Sequence, residues 1–282
     1  MLQVPDGSWA LVTGASSGIG ESIARKLAER RIPTLLVARS AGRLRELAAD
    51  WRARYRADVE ALPADLSEPG AAAALVAATE GSGRPVDLLV NAAGFAILAP
   101  LAEAPPERTA EMLRLNVLAA TELTQRYLAA MRARRRGRIL NVASTQAFLP
   151  MPHFAVYGAS KAYLLSFTRA VAEEAEAYGV TLTALCPGYT RTGFYGVAGM
   201  RRPWWTPFPE MAPDDVAEAG LQGLERGARM VVPHPFDRVW VAALRLVPRS
   251  WPSAIAGAVM SRSRAPSQDP PASPPPAGPP RP

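Results

Sequence analysis

Hydrophobic residues along this chain form short runs that alternate with longer segments of helical periodicity. The short runs are rich in β-branched residues and are apolar on both faces, which is typical of parallel strands covered by helices. Between them, apolar residues recur three or four positions apart, as at Ile23 and Leu27, which indicates amphipathic helices. We predict seven strands, over residues 8–13, 34–38, 59–62, 86–90, 138–143, 180–185 and 229–232.

The alternation of strands and helices predicts the fold class. Strand–helix–strand units of this length require crossover connections, and such connections are nearly always right-handed. The expected fold is therefore α/β: a Rossmann-type, doubly wound, seven-stranded parallel sheet with helices on both faces. At 282 residues, 49% of them hydrophobic, the chain can bury one large core, and we predict a single domain over residues 1–264.

Three segments depart from this alternation. Residues 189–212, after the sixth strand, are too many and too aromatic for a turn, and we predict a substrate loop there. Residues 236–264 mix apolar runs with arginines and are expected to form a C-terminal helical extension. This extension could pack on the core, cover the site or lie on an anionic membrane surface. The proline-rich residues 265–282 are predicted to be a disordered tail.

Composition argues against several classes of protein. The formal charge is +7, but the basic residues are scattered, so we expect no nucleic-acid partner. Cys186 is the only cysteine, which precludes an intrachain disulfide and suits a reducing compartment. Without a leader-like N-terminus or a membrane-length apolar run, the expected location is cytoplasmic. His153 and His234 lack the spacing of metal ligands, so no metal site is predicted.

The segment LVTGASSGIG, residues 11–20, places three glycines between the first strand and the first helix. Glycine permits a tight turn and lets backbone N–H groups approach a pyrophosphate at the helix N-terminus. The spacing differs from the commoner Gly-x-Gly-x-x-Gly, and a simple tight turn is the alternative. Its position directly after the first strand favours a dinucleotide site. The predicted contacts are Gly14, Ser16, Ser17, Gly18, Ile19 and Gly20.

The end of the second strand indicates which dinucleotide binds. Ala38 stands where an enzyme that uses NAD usually carries an acidic residue, and Arg39 and Ser40 follow it. A carboxylate would repel a 2′-phosphate, whereas a guanidinium can bind one through two hydrogen bonds. The sequence therefore predicts NADP(H), held in part by Arg39 and Ser40. A solvated arginine at a helix start is the alternative.

Further motifs complete a family resemblance. The set consists of TGASSGIG, NAAG (residues 91–94), Asn116, Ser144, Tyr157-x-x-x-Lys161 and PGYTRT (residues 187–192). In this order and spacing, the chain resembles the single-domain short-chain dehydrogenase/reductase family over about residues 8–232. It is most similar to the branch that uses NADPH and includes 3-oxoacyl reductases and hydroxysteroid dehydrogenases. One difference is an alanine in NVLAA, where that family often has glycine.

The resemblance implies roles for additional residues. Asn116 would hold a water that connects Lys161 to solvent. Asp65 would lie beside the adenine ring and Asn91 near its ribose, with a role in a turn as the alternative for each. The family also implies a homodimer or homotetramer that pairs the helices expected over residues 105–136 and 156–178. The other cofactor contacts that it implies are Leu66, Ala92, Pro187, Gly188, Thr190 and Thr192.

The chemistry of the residues agrees with this resemblance. Tyr157 and Lys161 are four residues apart and so share one face of a helix. Lys161 is one of only two lysines, with Lys26, among 32 basic residues. A compact ammonium can lower the pKa of a nearby phenol and donate to ribose hydroxyls, for which the arginine fork is less suited. Ser144 follows the fifth strand, where its hydroxyl can position a substrate oxygen or cap a turn.

These observations predict an NADPH-dependent oxidoreductase that interconverts a hydrophobic ketone and a secondary alcohol. The aromatic loop 189–212 favours a bulky apolar substrate. A non-catalytic NADP(H)-binding scaffold or sensor, which could be membrane-peripheral, is the alternative, and the intact Ser–Tyr–Lys set argues against it. The predicted catalytic residues are Asn116, Ser144, Tyr157 and Lys161, and the predicted substrate contacts are Ser144, Tyr157, Phe194 and Trp204.

Overall fold

Seven parallel strands form one sheet in the order β3-β2-β1-β4-β5-β6-β7 in the computed structural model, which describes residues 2, 4–199, 209–244 and 257. The predicted doubly wound fold is confirmed, and each strand end lies within one residue of its predicted position. The strands are β1 (Trp9–Thr13), β2 (Thr34–Ala38), β3 (Val59–Pro63), β4 (Val86–Asn91), β5 (Gly137–Val142), β6 (Val180–Leu185) and β7 (Met230–Val231).

Helices cover both faces of the sheet because successive strand residues point to opposite sides. Val12 and Leu36 pack on one face against α1, α2 and α8, whereas Leu11 and Leu35 pack on the other against α3, α5 and α6. The helices are α1 (Gly18–Glu29), α2 (Ala41–Tyr55), α3 (Ala71–Thr79), α4 (Pro106–Leu113), α5 (Ala120–Arg134), α6 (Ala155–Glu176), α7 (Phe194–Val197), α8 (Pro213–Glu225) and α9 (Pro235–Ala243).

The helix predicted over residues 105–136 is interrupted. A π-helical turn, Arg114–Ala119, separates α4 from α5. Asn116 lies in this turn, where its amide group binds the backbone of Phe95: Nδ2 donates to the carbonyl at 3.0 Å and Oδ1 accepts from the N–H at 3.2 Å. Wider turns of this kind are frequent at functional sites. A tertiary contact of Asn116 therefore accompanies the break in the regular helix.

The strand order reverses between β1 and β4, so the connections that follow these two strands leave toward opposite faces of the sheet. A crevice forms at such a switch point, beyond the carboxyl ends of the strands. The predicted substrate loop 189–212 begins at this edge, and its base is closed by parallel pairing of Thr190 with Met211. The Met211 N–H donates to the Tyr189 carbonyl at 2.9 Å.

Parts of three predicted segments lie outside the described residues. Within the loop 189–212 these are residues 200–208, which include Trp204. The structure describes the beginning of the predicted extension 236–264 as most of helix α9, together with residues 244 and 257. The predicted tail 265–282 lies wholly outside them. No helix among the residues described has the length and apolar character needed to cross a bilayer.

The amino edge of the sheet is held by a buried aspartate at the start of β4. The Asp87 carboxylate accepts hydrogen bonds from Ser8 Oγ at 2.8 Å, Arg134 Nε at 2.9 Å and Arg136 Nε at 2.8 Å. Burial alone would raise the pKa of Asp87, but the bonds from Arg136 and Ser8 and the charge of Arg134 hold it below its usual value. Arg134 also pairs with Glu80 at 2.7 Å.

Candidate active site

The loops at the carboxyl edge of the sheet enclose a cavity of about 750 Å³. Its size is in the range of ligand pockets in proteins. Most of the residues predicted for the site line it: Gly14, Ser16, Ser17, Gly18, Ile19, Gly20, Arg39, Ser40, Asp65, Leu66, Ala92, Ser144, Tyr157, Lys161, Pro187, Gly188, Thr190, Thr192 and Phe194. Segments that are distant in sequence, from the first loop to α7, therefore meet in one place.

The glycine-rich loop has a backbone that requires glycine. Gly14 and Gly18 have φ angles of +68° and +59°, in the left-handed region that side chains with a Cβ rarely adopt. A Cβ on Gly14 would also lie 2.9 Å from the backbone of Ala93. The loop thus packs directly on the NAAG segment and leads into the N-terminus of α1. This geometry fits the pyrophosphate of a dinucleotide.

The NAAG segment contributes its small residues to the cavity, whereas its asparagine faces away. Asn91 is buried, and its Nδ2 donates to Asn141 Oδ1 at 2.8 Å and to Thr124 Oγ1 at 3.1 Å. The position of this side chain does not support the predicted contact with a ribose. Instead, Thr13 Oγ1 accepts from the N–H groups of Ala92 and Ala93 at 3.0 and 3.1 Å, which fixes the segment beside the glycine-rich loop.

Arg39 lies at the rim of the cavity, where its side chain is 61% exposed. Its Nη1 is 3.2 Å from Glu111 Oε1 and 3.8 Å from Asp65 Oδ2. Burial opposes ionisation of Asp65, yet hydrogen bonds from Ser67 and the charge of Arg39 lower the pKa of this carboxyl. Exposed ion pairs contribute at most about 1 kcal/mol, so an incoming phosphate can compete with Glu111 for the guanidinium.

Helix α6 brings Tyr157 and Lys161 into the cavity next to Ser144, and all three residues are buried. Lys161 Nζ donates to the Val142 carbonyl at 2.8 Å and lies 5.7 Å from the centre of the Tyr157 ring. Ser144 Oγ accepts from the Gln146 N–H at 3.2 Å. Ser144 caps the turn Thr145–Phe148, one of the two roles considered from the sequence, and it also lines the cavity, as the other role requires.

Burial controls the ionisation of this group. It raises the pKa of Tyr157, and a hydrogen-bonding interaction with Ser144 only partly offsets the shift. It lowers the pKa of Lys161 to about 8. Desolvation favours the neutral form of both groups, and it outweighs any effect of the Lys161 charge on the resting phenol. A phenol that stays protonated at neutral pH can serve as a proton donor.

Asn116 lies behind the cavity wall. Besides binding Phe95, its Nδ2 donates to Ser160 Oγ at 3.3 Å. A Cβ on Gly94 would be 2.8 Å from Asn116 Oδ1 and 3.5 Å from Lys161 Nζ, so only the small Gly94 separates the two side chains. The structure therefore places Asn116 near Lys161, although it does not line the cavity.

Several lining residues were not predicted from the sequence. Phe95 follows the NAAG motif and Leu149 follows Ser144 by five positions, so their proximity to known motifs was an available signal. Gln146 follows Ser144 by two positions, and Asp237 lies in the extension 236–264 that could cover the site, but neither residue belongs to a motif. Met151 was also not predicted. The remaining apolar and aromatic lining residues beyond Tyr157 belong to segments that were predicted only as a whole: the substrate loop 189–212 contributes Tyr189, Tyr195 and Val197, and the extension 236–264 contributes Phe236 and Trp240.

Comparison with known proteins gives the family. The family profile described as short chain dehydrogenase matches residues 8–199. The chain belongs to the short-chain dehydrogenase family. An uncharacterized oxidoreductase of Staphylococcus saprophyticus is 31% identical to this dehydrogenase over 223 residues, which are 79% of this chain and 93% of that protein. A 7beta-hydroxysteroid dehydrogenase of Collinsella aerofaciens is 32% identical over 186 residues, which are 66% and 70% of the two chains.

A solved structure agrees with this assignment. The short-chain dehydrogenase from Sphingobium yanoikuyae in complex with NADPH superposes with a TM-score of 0.77 and is 30% identical, over 93% of this chain and 98% of that one. The predicted family is therefore confirmed, and with it an oxidoreductase that acts on CH–OH groups and uses a nicotinamide cofactor. Among the described residues, no group of three or more His, Cys, Asp and Glu side chains is arranged as a metal site.

Proposed function

We propose that this short-chain dehydrogenase is a cytoplasmic enzyme that uses NADPH to reduce hydrophobic ketones to secondary alcohols. One observation carries the proposal: Ser144, Tyr157 and Lys161 meet in a cavity whose wall beyond Tyr157 is largely aromatic and aliphatic. The rings of Phe154 and Phe194 lie 4.7 and 5.4 Å from that of Tyr157. A ketone oxygen can reach the polar group only if the rest of the substrate occupies apolar surroundings.

Two features support NADPH over NADH. The end of β2 lacks a carboxylate that would hold a ribose 2′-hydroxyl and repel a 2′-phosphate. Arg39 and Ser40 line the rim at the same place, and Arg39 can exchange an exposed pairing with Glu111 for a bidentate bond to phosphate. The NADPH complex of the related Sphingobium enzyme agrees with this choice.

The chain's own residues provide orientation and a proton. The nicotinamide, when bound, supplies the hydride. Ser144 Oγ accepts from the Gln146 N–H at 3.2 Å and donates to the Pro187 carbonyl at 3.5 Å. A bound ketone would replace Pro187 as the acceptor of this long hydrogen bond, so that Ser144 positions the ketone oxygen. Tyr157, neutral because it is buried, donates its proton to that oxygen as negative charge develops there. Lys161, anchored on the Val142 carbonyl, stabilises the phenolate that remains.

Asn116 acts in this scheme by positioning. It fixes the backbone of Phe95, and Gly94 leaves the space between Asn116 and Lys161 free of a side chain. In the proton relay that the family implies, the proton would pass from Lys161 to solvent through this region. Asn116 thus orders the wall behind Lys161 and does not contact the substrate.

A panel of ketones with increasing ring count tests the proposal. We expect kcat/KM, followed by the loss of NADPH absorbance, to rise along the series because each added ring buries more apolar surface. Phe194→Ala should flatten the rise, since Phe194 lies beside Tyr157. A preparation of Tyr157→Phe is the control for background consumption of NADPH. A preference for small, charged or sugar-like carbonyls would contradict the proposed substrate class.

Exposed apolar side chains on the helices that were predicted to pair support the homodimer or homotetramer expected from the family. Leu113, Leu118 and Tyr163, on α4, the π turn and α6, are 40%, 54% and 41% exposed. A second copy of this face would cover them and gain apolar burial. Light scattering should therefore give a mass above that of one chain, and Leu118→Glu should lower it. A monomeric parent enzyme would contradict this part of the proposal.

A further inference from the structure

We propose that Asp237 is a specificity residue that accepts a hydrogen bond from a hydroxyl group of the substrate, at a point remote from the reacting carbonyl. The inference deepens the proposed function and rests on it. It assigns the substrate as a hydrophobic ketone that also carries a hydroxyl. Asp237 lies on α9 and faces the cavity between two aromatic residues of the same helix, Phe236 and Trp240.

The burial of Asp237 is the first observation. The residue is 3% exposed, yet it lines the cavity. Its carboxylate occupies the space beside Gly188, where a Cβ on residue 188 would overlap Oδ2. The absence of a side chain at position 188 therefore leaves room for the carboxylate next to the loop that begins with Pro187. The place of Asp237 in the cavity thus depends on Gly188, which was itself predicted as a site residue.

The second observation is that this buried carboxylate lacks a partner. Among the residues that the structure describes, no side chain or backbone N–H donates a hydrogen bond to Asp237. The cations that line the cavity are engaged elsewhere: Lys161 with the Val142 carbonyl, and Arg39 with Glu111 and Asp65. Burial accordingly raises the pKa of Asp237, with only a partial offset from the nearby His234.

A purely structural role accounts poorly for this position. A carboxylate in the first turn of a helix is favoured by the helix dipole, and Asp237 is in the first turn of α9. That contribution needs no burial. The N-terminus of α9 is also already capped by His234, whose Nδ1 accepts from the Phe236 N–H at 3.1 Å. The Asp237 oxygens are not among the side-chain atoms that are fully buried without a partner, so they reach the open space of the cavity. A ligand donor can meet the carboxylate there, and the described part of the protein supplies none.

The chemistry of the cavity defines the donor. Of the described residues that line it, only Asp65 and Asp237 are acidic, and Asp65 lies at the Arg39 end. Gln146 adds a second unsatisfied acceptor, since its Oε1 is buried without a partner in the described structure. A substrate with one hydroxyl group on an otherwise apolar skeleton matches these acceptors, because the residues around them are largely aromatic. The cofactor carboxamide is the other N–H donor that could reach this region, and the experiment separates the two.

The test compares a polycyclic ketone with a set of isomers that carry one added hydroxyl at different positions. The parent enzyme should prefer one isomer over the plain ketone in kcat/KM. Asp237→Leu should reduce that ratio about 10- to 100-fold, the usual effect of losing a hydrogen bond to a charged group. Asp237→Asn keeps a neutral acceptor of the same shape and should retain part of the ratio. Asp50→Asn, exposed on α2, is the matched control.

Each outcome bears on the proposal. The affinity for NADPH, measured by fluorescence titration, should be the same in Asp237→Leu as in the parent. A loss of NADPH affinity with an unchanged ratio would assign Asp237 to the cofactor carboxamide and overturn the inference. An unchanged ratio with unchanged affinity would also overturn it, while leaving ketone reduction intact. A parent enzyme that reduces none of the ketones would overturn the proposed function and this inference together.

Discussion

Two buried aspartates at opposite edges of one sheet show how differently this molecule treats the same group. Asp87, at the amino edge, is 4% exposed and accepts bonds from Ser8, Arg134 and Arg136. Asp237, at the carboxyl edge, is 3% exposed and has no hydrogen-bond partner among the described residues. The pKa of Asp87 is lowered by its partners, whereas burial raises the pKa of Asp237.

The difference extends beyond these two residues. At the amino edge, charges are compensated within the protein, which stabilises the fold. At the carboxyl edge, desolvation shifts Tyr157 and Lys161 toward their neutral forms, and acceptors such as Gln146 Oε1 stay unsatisfied. Perturbed groups of this kind concentrate where a ligand supplies the missing interactions. One edge is therefore built for stability and the other for binding, and substitutions at the two edges should have separable effects.

The largest expected effect is at the carboxyl edge. Tyr157→Phe should lower kcat by about 10² to 10⁴, because it removes the proton donor while keeping the ring that packs on Phe154. The affinity for NADPH and the free energy of unfolding should stay close to those of the parent. Steady-state kinetics, fluorescence titration and urea denaturation measure the three quantities. Retained turnover would remove Tyr157 from the proposed mechanism.

Lys161→Arg should lower kcat at least about 10²-fold although the charge is kept. Lys161 is buried and anchored on the Val142 carbonyl, and a guanidinium is too broad for that position and remains charged. The chain provides a matched control in its other lysine. Lys26→Arg keeps a pairing with Glu218 on the helical surface and should leave kcat within a factor of about two. Parent-like turnover of the Lys161 variant would show that charge alone suffices.

Asp87→Asn tests the amino edge. It should reduce the free energy of unfolding by about 3 kcal/mol, because two arginines lose a buried counterion, while kcat/KM of the folded enzyme stays unchanged. Since the folded pKa is lowered, the stabilisation is present above the unfolded pKa of about 3.9 and is lost as pH falls through the folded pKa. Urea denaturation at several pH values, with Asp50→Asn as control, checks this. A variant of normal stability would contradict the contrast between the edges.

These edges were predictable from sequence to different degrees. The strands and the glycine-rich loop follow from local patterns, since period, apolar runs and turn residues are properties of neighbours. Arg39 was predictable because it directly follows β2, but its pairing with Glu111 joins residues 72 positions apart. Asn116 was recognisable as a poor helix former, yet the π turn accompanies its bonds to Phe95. Such long-range contacts leave no periodic trace in the sequence.

Asn91 and Asp237 both show that long-range contacts, which the sequence does not reveal, determine which side chains face the cavity. The motif that contains Asn91 was recognised from the sequence, but the direction of the Asn91 side chain depends on Asn141 and Thr124, on other elements. Asp237 has no motif around it, and only the folded chain brings it beside Gly188. Sequence patterns thus located the segments of the site, whereas the packing of those segments decides which side chains face the ligand.

Arg39→Asp should change the choice of cofactor at the carboxyl edge. Loss of the guanidinium weakens the binding of NADPH, and the new carboxylate can accept a hydrogen bond from the ribose 2′-hydroxyl of NADH. The ratio of kcat/KM for NADPH over NADH should therefore fall about 10-fold or more. The exposed pairing with Glu111 contributes little, so the free energy of unfolding should change by less than about 1 kcal/mol. Cofactor titrations that give an unchanged ratio would place the 2′-phosphate elsewhere.

The smallest expected effect has the opposite sign from that of Asp87→Asn. Asp237→Asn should stabilise the enzyme without ligand by about 1 kcal/mol at neutral pH, because a buried carboxylate without a partner is replaced by a neutral group of the same shape. Since the folded pKa is raised, the folded parent binds more protons than the unfolded chain between about pH 3.9 and that folded pKa. The parent therefore loses stability as pH rises through this window, and the variant does not. The difference between their unfolding free energies should therefore be smallest below about pH 4 and grow as pH rises through this window. A variant that is less stable than the parent at neutral pH would show that the Asp237 carboxylate is satisfied within the protein.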